Sequence, residues 1–302
     1  MKKILILGAK GNLGGQLIKV FSKKNEVIAW DREEIDITDK ELIYKKVSDI
    51  KPDIIINAAA YNAVDKCEED ENEFELAKKL NCQAVGYLAE AAISVNSILV
   101  HYSSDYVFGG HANKTNSEQI KRIKKQGGFK EDDNPDPVNK YGESKFMGER
   151  ELISRSGKGL KWYLIRTSKL FGPKGESEVA KPSFFDIMLK LAKEKEVLDV
   201  VDEEMSCFTY TPDLAKATRK LIESDMGYGI YHIVNEGPCA WYQAAKELFG
   251  IAGINITVNP VSGDKFPRPA KRPSYSVLLN TKFEQLRSWQ EALREYLKIK
   301  NL

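Results

Sequence analysis

The chain has 302 residues, of which 42% are hydrophobic and 30% charged, a balance typical of a globular protein. Its 46 basic and 44 acidic side chains leave a net charge of +2, so we expect no general attraction to nucleic acid or to an anionic membrane. The four cysteines form no CxxC pair and there are three histidines, which predicts no metal site and favours free thiols in a reducing cytoplasm.

The first 168 residues alternate short apolar segments with longer amphipathic ones, which is the pattern of βαβ units. The apolar runs are nearly continuous, as expected for parallel strands that are covered on both faces. We therefore predict an α/β fold with a Rossmann-type, doubly wound parallel sheet. The predicted strands are 4–7, 26–30, 53–60, 97–104 and 161–168, and the predicted helices are 12–24, 41–50, 81–95 and 140–155.

A loop rich in glycine, proline and polar residues, 170–183, marks a boundary after Ser168. We predict an NAD(P)-binding domain over 1–168 and a smaller α/β lobe over 169–302, mainly for substrate binding, with some segments returning to the sheet. Further helices are predicted over 184–196 and 282–299 and a strand over 230–235. The last helix has an apolar stripe of Phe283, Leu286, Leu293 and Leu297.

A polar segment, 109–128, is bracketed by glycines and carries a basic run from Lys121 to Lys125. Charge runs are usually solvated, so we predict an excursion over the surface. The alternative is a lid over an anionic substrate.

Three glycines, Gly8, Gly11 and Gly14, lie between the first predicted strand and the first predicted helix. Glycines at this place allow a tight turn, a close approach of a pyrophosphate to the backbone, and close packing of the helix on the strand. The pyrophosphate would then lie at the helix N-terminus, where free N–H groups and the helix dipole favour anions. The spacing GxxGxxG, in this setting, predicts dinucleotide binding.

Cofactor choice is left open by the residues after the second strand. Asp31 is placed to hold the ribose 2′-hydroxyl of NADH, whereas Arg32 and Lys10 are placed to meet the 2′-phosphate of NADPH. We therefore predict use of both. Asp36 and Ile37 are candidates to flank the adenine, and a turn role for Asp36 is the alternative.

A tyrosine and a lysine, Tyr141 and Lys145, lie four residues apart and so share one face of a predicted helix. The fourth strand ends in Ser103, Ser104 and Asp105, and ligands bind beyond the carboxyl ends of parallel strands. A lysine ammonium would lower the pKa of the tyrosine, which could then protonate the oxyanion of a reduced carbonyl while a serine holds its oxygen. This predicts hydride transfer from a nicotinamide.

With these motifs, the stretches "KPDIIINAAAYNAVDKCEED", "HYSSDYVF", "NPDPVNKYGESK", "LIRTSKLFG", "YTPDLAKA" and "RPAKRPSYSVLLN" make the chain resemble the extended short-chain dehydrogenase/reductase family over nearly its whole length. The resemblance implies reduction of the 4-keto group of a nucleotide-linked 6-deoxyhexose, with dTDP-4-dehydro-L-rhamnose as first candidate. It implies a catalytic set of Ser104, Tyr141 and Lys145, with Asn81 supporting the lysine through water. The implied cofactor contacts are Gly8, Lys10, Gly11, Asn12, Leu13, Gly14, Asp31, Arg32, Asp36, Ile37, Ala58, Ala59, Ala60, Tyr141 and Lys145, and the implied substrate contacts are Val64, Ser103, Ser104, Asp105, Tyr106, Tyr141 and Lys169.

The chain departs from the family pattern at several places. Relatives often have threonine at Ser104, where the hydroxyl and its role are kept. Two departures bear on the substrate: relatives usually have tryptophan at Lys169, and residues 202–209 lack their usual glutamine, glycine and proline. A related epimerase or reductase with a different sugar and a non-catalytic nucleotide-binding subunit therefore remain alternatives. Some relatives carry Mg²⁺ at an acidic dimer interface, so a homodimer is expected by analogy, but no metal is predicted here.

Overall fold

The computed structural model of the protein describes residues 1–110, 118–178, 180–224 and 226–302. Six parallel strands form the central sheet in the order β2-β1-β3-β4-β5-β9. These strands are β1 (Lys3–Leu7), β2 (Glu26–Trp30), β3 (Ile54–Asn57), β4 (Ile98–Ser104), β5 (Lys161–Thr167) and β9 (Gly229–His232). The predicted parallel α/β sheet is confirmed.

Helices cover both faces of this sheet, because its strands are apolar on both sides. One face carries α1 (Asn12–Phe21) and α9 (Thr211–Glu223). The other face carries α2 (Lys40–Ile50), α5 (Ala84–Ser94) and α7 (Lys140–Ile153). Between β3 and α5 lie α3 (Val64–Glu69), α4 (Glu71–Lys78) and a π-helical segment, Lys79–Gln83.

The strand order reverses between β1 and β3, so a crevice opens there beyond the carboxyl ends of the strands. The loops that follow β1, β3 and β4 and the start of α7 all lie at this edge. The fold therefore brings together segments that are more than a hundred residues apart in the chain.

The C-terminal part builds a second core around Phe171, Phe208 and Trp289. It contains α8 (Phe184–Leu191), α10 (Trp241–Ala252) and α11 (Trp289–Ile299), with the parallel pairs β6 (Leu170–Phe171) with β8 (Thr209–Tyr210) and β7 (Val197–Val201) with β10 (Thr257–Val261). Within the described residues, no helix has both the length and the apolar character needed to cross a bilayer.

Several predicted ends are wrong, most clearly for the last helix. It begins at Trp289 rather than at 282, because Ser288 and Glu291 form a capping box that starts the helix there. Phe283 and Leu286 precede the helix and pack on the sheet core beside α1, whereas Leu293 and Leu297 pack in the C-terminal core. The predicted elements 12–24, 184–196 and 230–235 end earlier, at Phe21, Leu191 and His232.

In the described second half of segment 109–128 the basic run is exposed, as predicted, but the backbone forms a helix whose apolar side packs on the core. Residues 118–126 form α6 (Glu118–Gln126), whose Ile120 and Ile123 are buried against Phe108 and Phe129. The basic side chains lie on its outer face, where Arg122 pairs with Asp133. Residues 111–117 lie outside the described part of the chain, so the alternative of a lid is neither supported nor contradicted.

Candidate active site

The glycine loop turns in a way that only glycine tolerates at two of its positions. Gly8 has φ +73°, and a Cβ there would lie 2.7 Å from the backbone nitrogen of Ala59. A Cβ on Gly14 would lie 2.1 Å from the carbonyl oxygen of Gly8. Gly11 caps α1 without a side-chain hydrogen bond, which leaves the first N–H groups of the helix for an anion. This cradle fits the pyrophosphate of a dinucleotide.

The end of β2 is tied to this loop by a carboxylate. Asp31 accepts hydrogen bonds from the backbone N–H groups of Lys10, at 2.8 Å, and Arg32, at 2.9 Å. The Lys10 ammonium forms an exposed ion pair with Glu33 at 2.8 Å. Acidic and basic groups thus flank the predicted ribose position together, which leaves the choice between NADH and NADPH open.

The other residues predicted to contact the cofactor differ in exposure. Asp36 accepts from the N–H and hydroxyl of Thr38, which is a turn role, and Ile37 is buried in the core. The side-chain amide of Asn12 donates to the carbonyl oxygen of Lys181 and accepts from the N–H of Gly175, so both of its polar atoms are bound to the chain after β6. Leu13 is buried, and Ala58, Ala59 and Ala60 follow β3 as small, partly exposed side chains.

The predicted proton donor, Tyr141, lies in the first turn of α7, directly after the cap residue Asn139 and Lys140. Its ring packs edge-on against Tyr106 with ring centroids 5.6 Å apart, and its hydroxyl donates to Asn62 at 3.4 Å. Val64 packs in the same small apolar cluster. Burial raises the pKa of Tyr141, and a hydrogen bond with Ser104 opposes that rise. The phenol is therefore protonated at neutral pH.

The lysine one turn later does not lower that pKa, so this part of the sequence prediction is wrong. The Lys145 ammonium donates to the carbonyl oxygen of Tyr102 on β4 at 2.8 Å. Burial lowers the pKa of Lys145 to about 8, and the carboxylate of Glu149 opposes that shift. Lys145 is thus a buried cation held by the sheet rather than by the phenol.

The serine at the end of β4 connects the phenol to a buried acid. The Ser104 hydroxyl accepts from the N–H of Tyr106 at 3.2 Å and donates to Asp105 at 3.1 Å. Asp105 also accepts from Ser276 at 2.6 Å, and burial raises the pKa of its carboxyl. Ser103 is buried, and its hydroxyl has no partner within the described residues.

The residue predicted to support the lysine, Asn81, lies in the π-helical segment and binds elsewhere. Its amide exchanges two hydrogen bonds with the backbone of Tyr61, at 2.9 and 3.1 Å, and donates to Ser144 at 2.9 Å. Ser144 in turn donates to the carbonyl oxygen of Tyr141. Asn81 therefore joins the segment after β3 to the turn of α7 that carries the tyrosine.

Two of the departures from the family pattern touch each other. The Lys169 ammonium lies 3.7 Å above the ring centroid of Trp241 and donates to the backbone carbonyl of Glu204 at 3.1 Å. The Glu204 carboxylate accepts from the Trp241 indole at 2.8 Å and pairs with Arg268. Burial lowers the pKa of Lys169 to about 8. Lys169 follows β5 as Ser104 ends β4, so it borders the same crevice.

Sequence reasoning missed several residues of this crevice. Ser144 lies between Tyr141 and Lys145 in the sequence. Its position three residues after Tyr141 on the same helix could have indicated that it lies near the tyrosine. Trp241, Glu204 and Ser276 come from the C-terminal part, and only the folded chain brings them to Lys169 and Asp105. The arrangement offers a neutral phenol, a hydroxyl and a cation beside a pyrophosphate cradle, which suits proton donation to a carbonyl oxygen.

The chain matches the family described as RmlD substrate binding domain over residues 1–301. It is 37% identical to a dTDP-4-dehydrorhamnose reductase of Aggregatibacter actinomycetemcomitans, with 97% of this chain and 98% of the relative covered. It is 35% identical to the spore coat polysaccharide biosynthesis protein SpsK of Bacillus subtilis, over 98% of this chain and 97% of that protein. A dTDP-4-dehydrorhamnose reductase from Bacillus anthracis, solved in complex with NADP, superposes with a TM-score of 0.86 at 34% identity, covering 99% of this chain and all (100%) of that one.

Proposed function

The chain belongs to the RmlD substrate binding domain family, and we propose that it reduces the 4-keto group of dTDP-4-dehydro-L-rhamnose to give dTDP-L-rhamnose, with NADPH or NADH as reductant. The observation that carries the proposal is the convergence of Ser104, at the end of β4, and the buried phenol of Tyr141 at the crevice edge that also holds the glycine loop. A binding module needs no such buried phenol, so the non-catalytic alternative is disfavoured.

The glycine loop, the N-terminus of α1 and Asp31 would hold the cofactor. When bound, the reduced nicotinamide supplies the hydride for the carbonyl carbon. Tyr141 gives its proton to the carbonyl oxygen, and burial keeps this phenol protonated until then. The Ser104 hydroxyl holds the same oxygen, and the Lys145 ammonium, one turn after Tyr141, would contact the bound cofactor.

The test is NADPH oxidation with dTDP-4-dehydro-L-rhamnose by wild type and by Tyr141→Phe. Removal of the proton donor should lower kcat by about 10²- to 10⁴-fold. The dissociation constant for NADPH, from fluorescence titration, should change little. Tyr87→Phe on α5 removes a hydroxyl remote from the crevice and is the matched control. Turnover by Tyr141→Phe within a few-fold of wild type would exclude the proton-donor role.

The second candidate is reduction of a different nucleotide-linked 4-keto-6-deoxyhexose. The contact of Lys169 with Glu204 favours it, because both residues lie at departures from the family pattern and Lys169 is a predicted substrate contact. Assays with other 4-keto sugar nucleotides decide between the two: faster turnover of another sugar would favour the second candidate.

We propose further that the chain acts as a homodimer in the cytoplasm, with residues 1–168 forming the NAD(P)-binding domain and 169–302 mainly the substrate lobe. The four cysteines are free thiols, which supports a reducing compartment. Sedimentation equilibrium at micromolar concentrations tests the dimer, and a monomer mass throughout would contradict it.

A further inference from the structure

The inner face of α7 carries a buried carboxylate that the mechanism above does not use. Tyr141, Lys145 and Glu149 follow one another at spacings of four residues, and they are 8%, 2% and 0% exposed. A lysine and a glutamate at this spacing normally attract each other, and burial strengthens the attraction. Yet within the described residues no ion pair joins Lys145 to Glu149, and the ammonium instead donates to the carbonyl oxygen of Tyr102.

An arginine from β5 explains why the glutamate is not available. The Arg166 guanidinium donates through Nε to one oxygen of Glu149 at 2.9 Å and through Nη2 to the other at 2.7 Å. Its third nitrogen donates to the carbonyl oxygen of Glu131 at 3.1 Å, and the Phe108 ring lies 4.9 Å from the guanidinium carbon. Arg166 is 1% exposed, so it is fixed on all sides by the protein.

We propose that Arg166 is a positioning residue for the reductase: by occupying both oxygens of Glu149 it keeps the Lys145 ammonium free of that carboxylate and bound to the carbonyl oxygen of Tyr102. The proposal rests on the proposed function for its kinetic part. Stability alone is a weak explanation of the pair, because buried ion pairs are often no more stabilising than apolar residues of the same volume.

The charged groups around Lys145 define what a change at Arg166 would do. On its own helix Lys145 faces Tyr141 and Glu149; from β4 it faces His101, whose pKa is lowered well below its usual value by burial and by the ammonium. Arg166 is the cation contributed by β5. Without Arg166, Glu149 would be a buried, unpaired carboxylate. Lys145, four residues earlier on the same helix, would then be the cation placed to form an ion pair with Glu149.

The experiment follows the titration of Lys145 by NMR, with lysine labelled at Cε, in Arg166→Met, in Glu149→Gln and in the double variant. Lys145→Met assigns the signal. In Arg166→Met the pKa of Lys145 should rise by about one unit or more, because the freed carboxylate pairs with it. In Glu149→Gln and in the double variant it should fall below the wild-type value. An unchanged pKa in Arg166→Met or in Glu149→Gln would overturn the proposal.

Kinetics separate positioning from a merely structural role. Arg166→Met should lower kcat at least about tenfold with a smaller effect on the KM for the sugar nucleotide, and the added Glu149→Gln should restore most of that loss. A double variant no faster than Arg166→Met would contradict the proposal, since a helix displaced by lost packing gains nothing from removal of the second charge. If Arg166→Met does not fold, Arg166→Lys, which keeps the charge but loses the fork, should give a smaller shift in the same direction.

The matched control is Arg287→Met, because Arg287 also binds a carboxylate with two nitrogens, on Asp213 at 2.7 and 2.9 Å, but remote from α7. It should leave the Lys145 titration unchanged, and a shift there as large as in Arg166→Met would overturn the proposal. The titration requires no substrate. If the wild-type protein reduced no sugar nucleotide, the proposed function would be contradicted. The titration of Lys145 by NMR would still test the present inference.

Discussion

At the scale of single residues, Lys169 carries the most information about the substrate. Its ammonium lies on an indole face and, among the residues that the structure describes, has one hydrogen bond, to a backbone carbonyl, although an ammonium can donate three. Asp105 is close enough to raise its pKa, yet no ion pair within 4 Å joins the two in the part of the chain that the structure describes. A sugar hydroxyl could therefore accept from Lys169 and donate to Asp105.

Lys169→Met should raise the KM for the sugar nucleotide by about tenfold or more, because a hydrogen bond to a charged group contributes ~1.5 to 3 kcal/mol. The ammonium form exists below its pKa of about 8, so wild-type KM should rise as pH increases through 8, while the variant should show no such rise. Steady-state kinetics between pH 6.5 and about 9.5 measure both effects.

The control for this prediction is Lys265→Met, which removes an exposed lysine that pairs with Asp199. Its KM should equal that of wild type. If Lys169→Met also keeps the wild-type KM at pH 7, Lys169 does not hold the sugar.

At the scale of elements, the close contact of α7 with the π-helical segment holds the candidate site together. A Cβ on Gly148 would lie 1.9 Å from the carbonyl oxygen of Asn81, so the two backbones touch at that point. The π-helical turn places Asn81 where its side chain reaches both Tyr61 and Ser144. The approach of these two elements therefore fixes where Tyr141 points.

Gly148→Ala should destabilise the protein, by about 1 to 3 kcal/mol, because the added methyl group forces the two helices apart. Helix propensity alone predicts the opposite sign, since alanine stabilises an exposed helix interior by about 0.5 to 1 kcal/mol relative to glycine. Thermal unfolding measures whether the variant is less or more stable than wild type. We expect kcat to fall together with the stability. Gly157→Ala, where an added Cβ meets no atom within 4 Å, should leave both unchanged.

The sequence predicts an element well when the residues that determine it are close together in the chain. The glycine loop, the strand ends and the pair of Tyr141 and Lys145 were predictable, because local spacing and the geometry of parallel sheets determine them. The start of α11 was also predictable from Ser288 and Glu291, which form the capping box. The apolar stripe that begins at Phe283 instead predicted an earlier start, because Phe283 and Leu286 are apolar but pack on the core of the central sheet. The π-helical turn leaves no periodic signal.

The electrostatics of the site were beyond prediction from sequence for a different reason. The pKa of Tyr141 depends on burial and on Ser104, and the partner of Lys145 is a backbone carbonyl that no motif encodes. The fork of Arg166 on Glu149 depends on the packing of α7 against β5. Such contacts require the packed structure, because side chains far apart in the chain create them.

At the scale of the whole molecule, the C-terminal part reaches back over the glycine loop. Segment 173–178 follows β6, and there the N–H of Gly175 donates to the Asn12 side chain at 2.8 Å. The N–H of Ser177 donates to the carbonyl oxygen of Lys10 at 2.9 Å. A Cβ on Gly175 would lie 2.4 Å from that same oxygen of Lys10. The segment thus braces the predicted pyrophosphate cradle from outside the first 168 residues.

Gly175→Ala should weaken NADPH binding several-fold. The added methyl group forces either segment 173–178 or the glycine loop to move, and this breaks the two hydrogen bonds between them. Each of these bonds contributes about 1 kcal/mol. Fluorescence titration measures the dissociation constant in the absence of substrate. Gly15→Ala, in α1 beside the same loop, adds a methyl group that meets no atom within 4 Å and should bind NADPH as wild type does. Equal affinity of Gly175→Ala and wild type would mean that the glycine loop holds its shape without this brace, so that the cradle is complete within the first 168 residues.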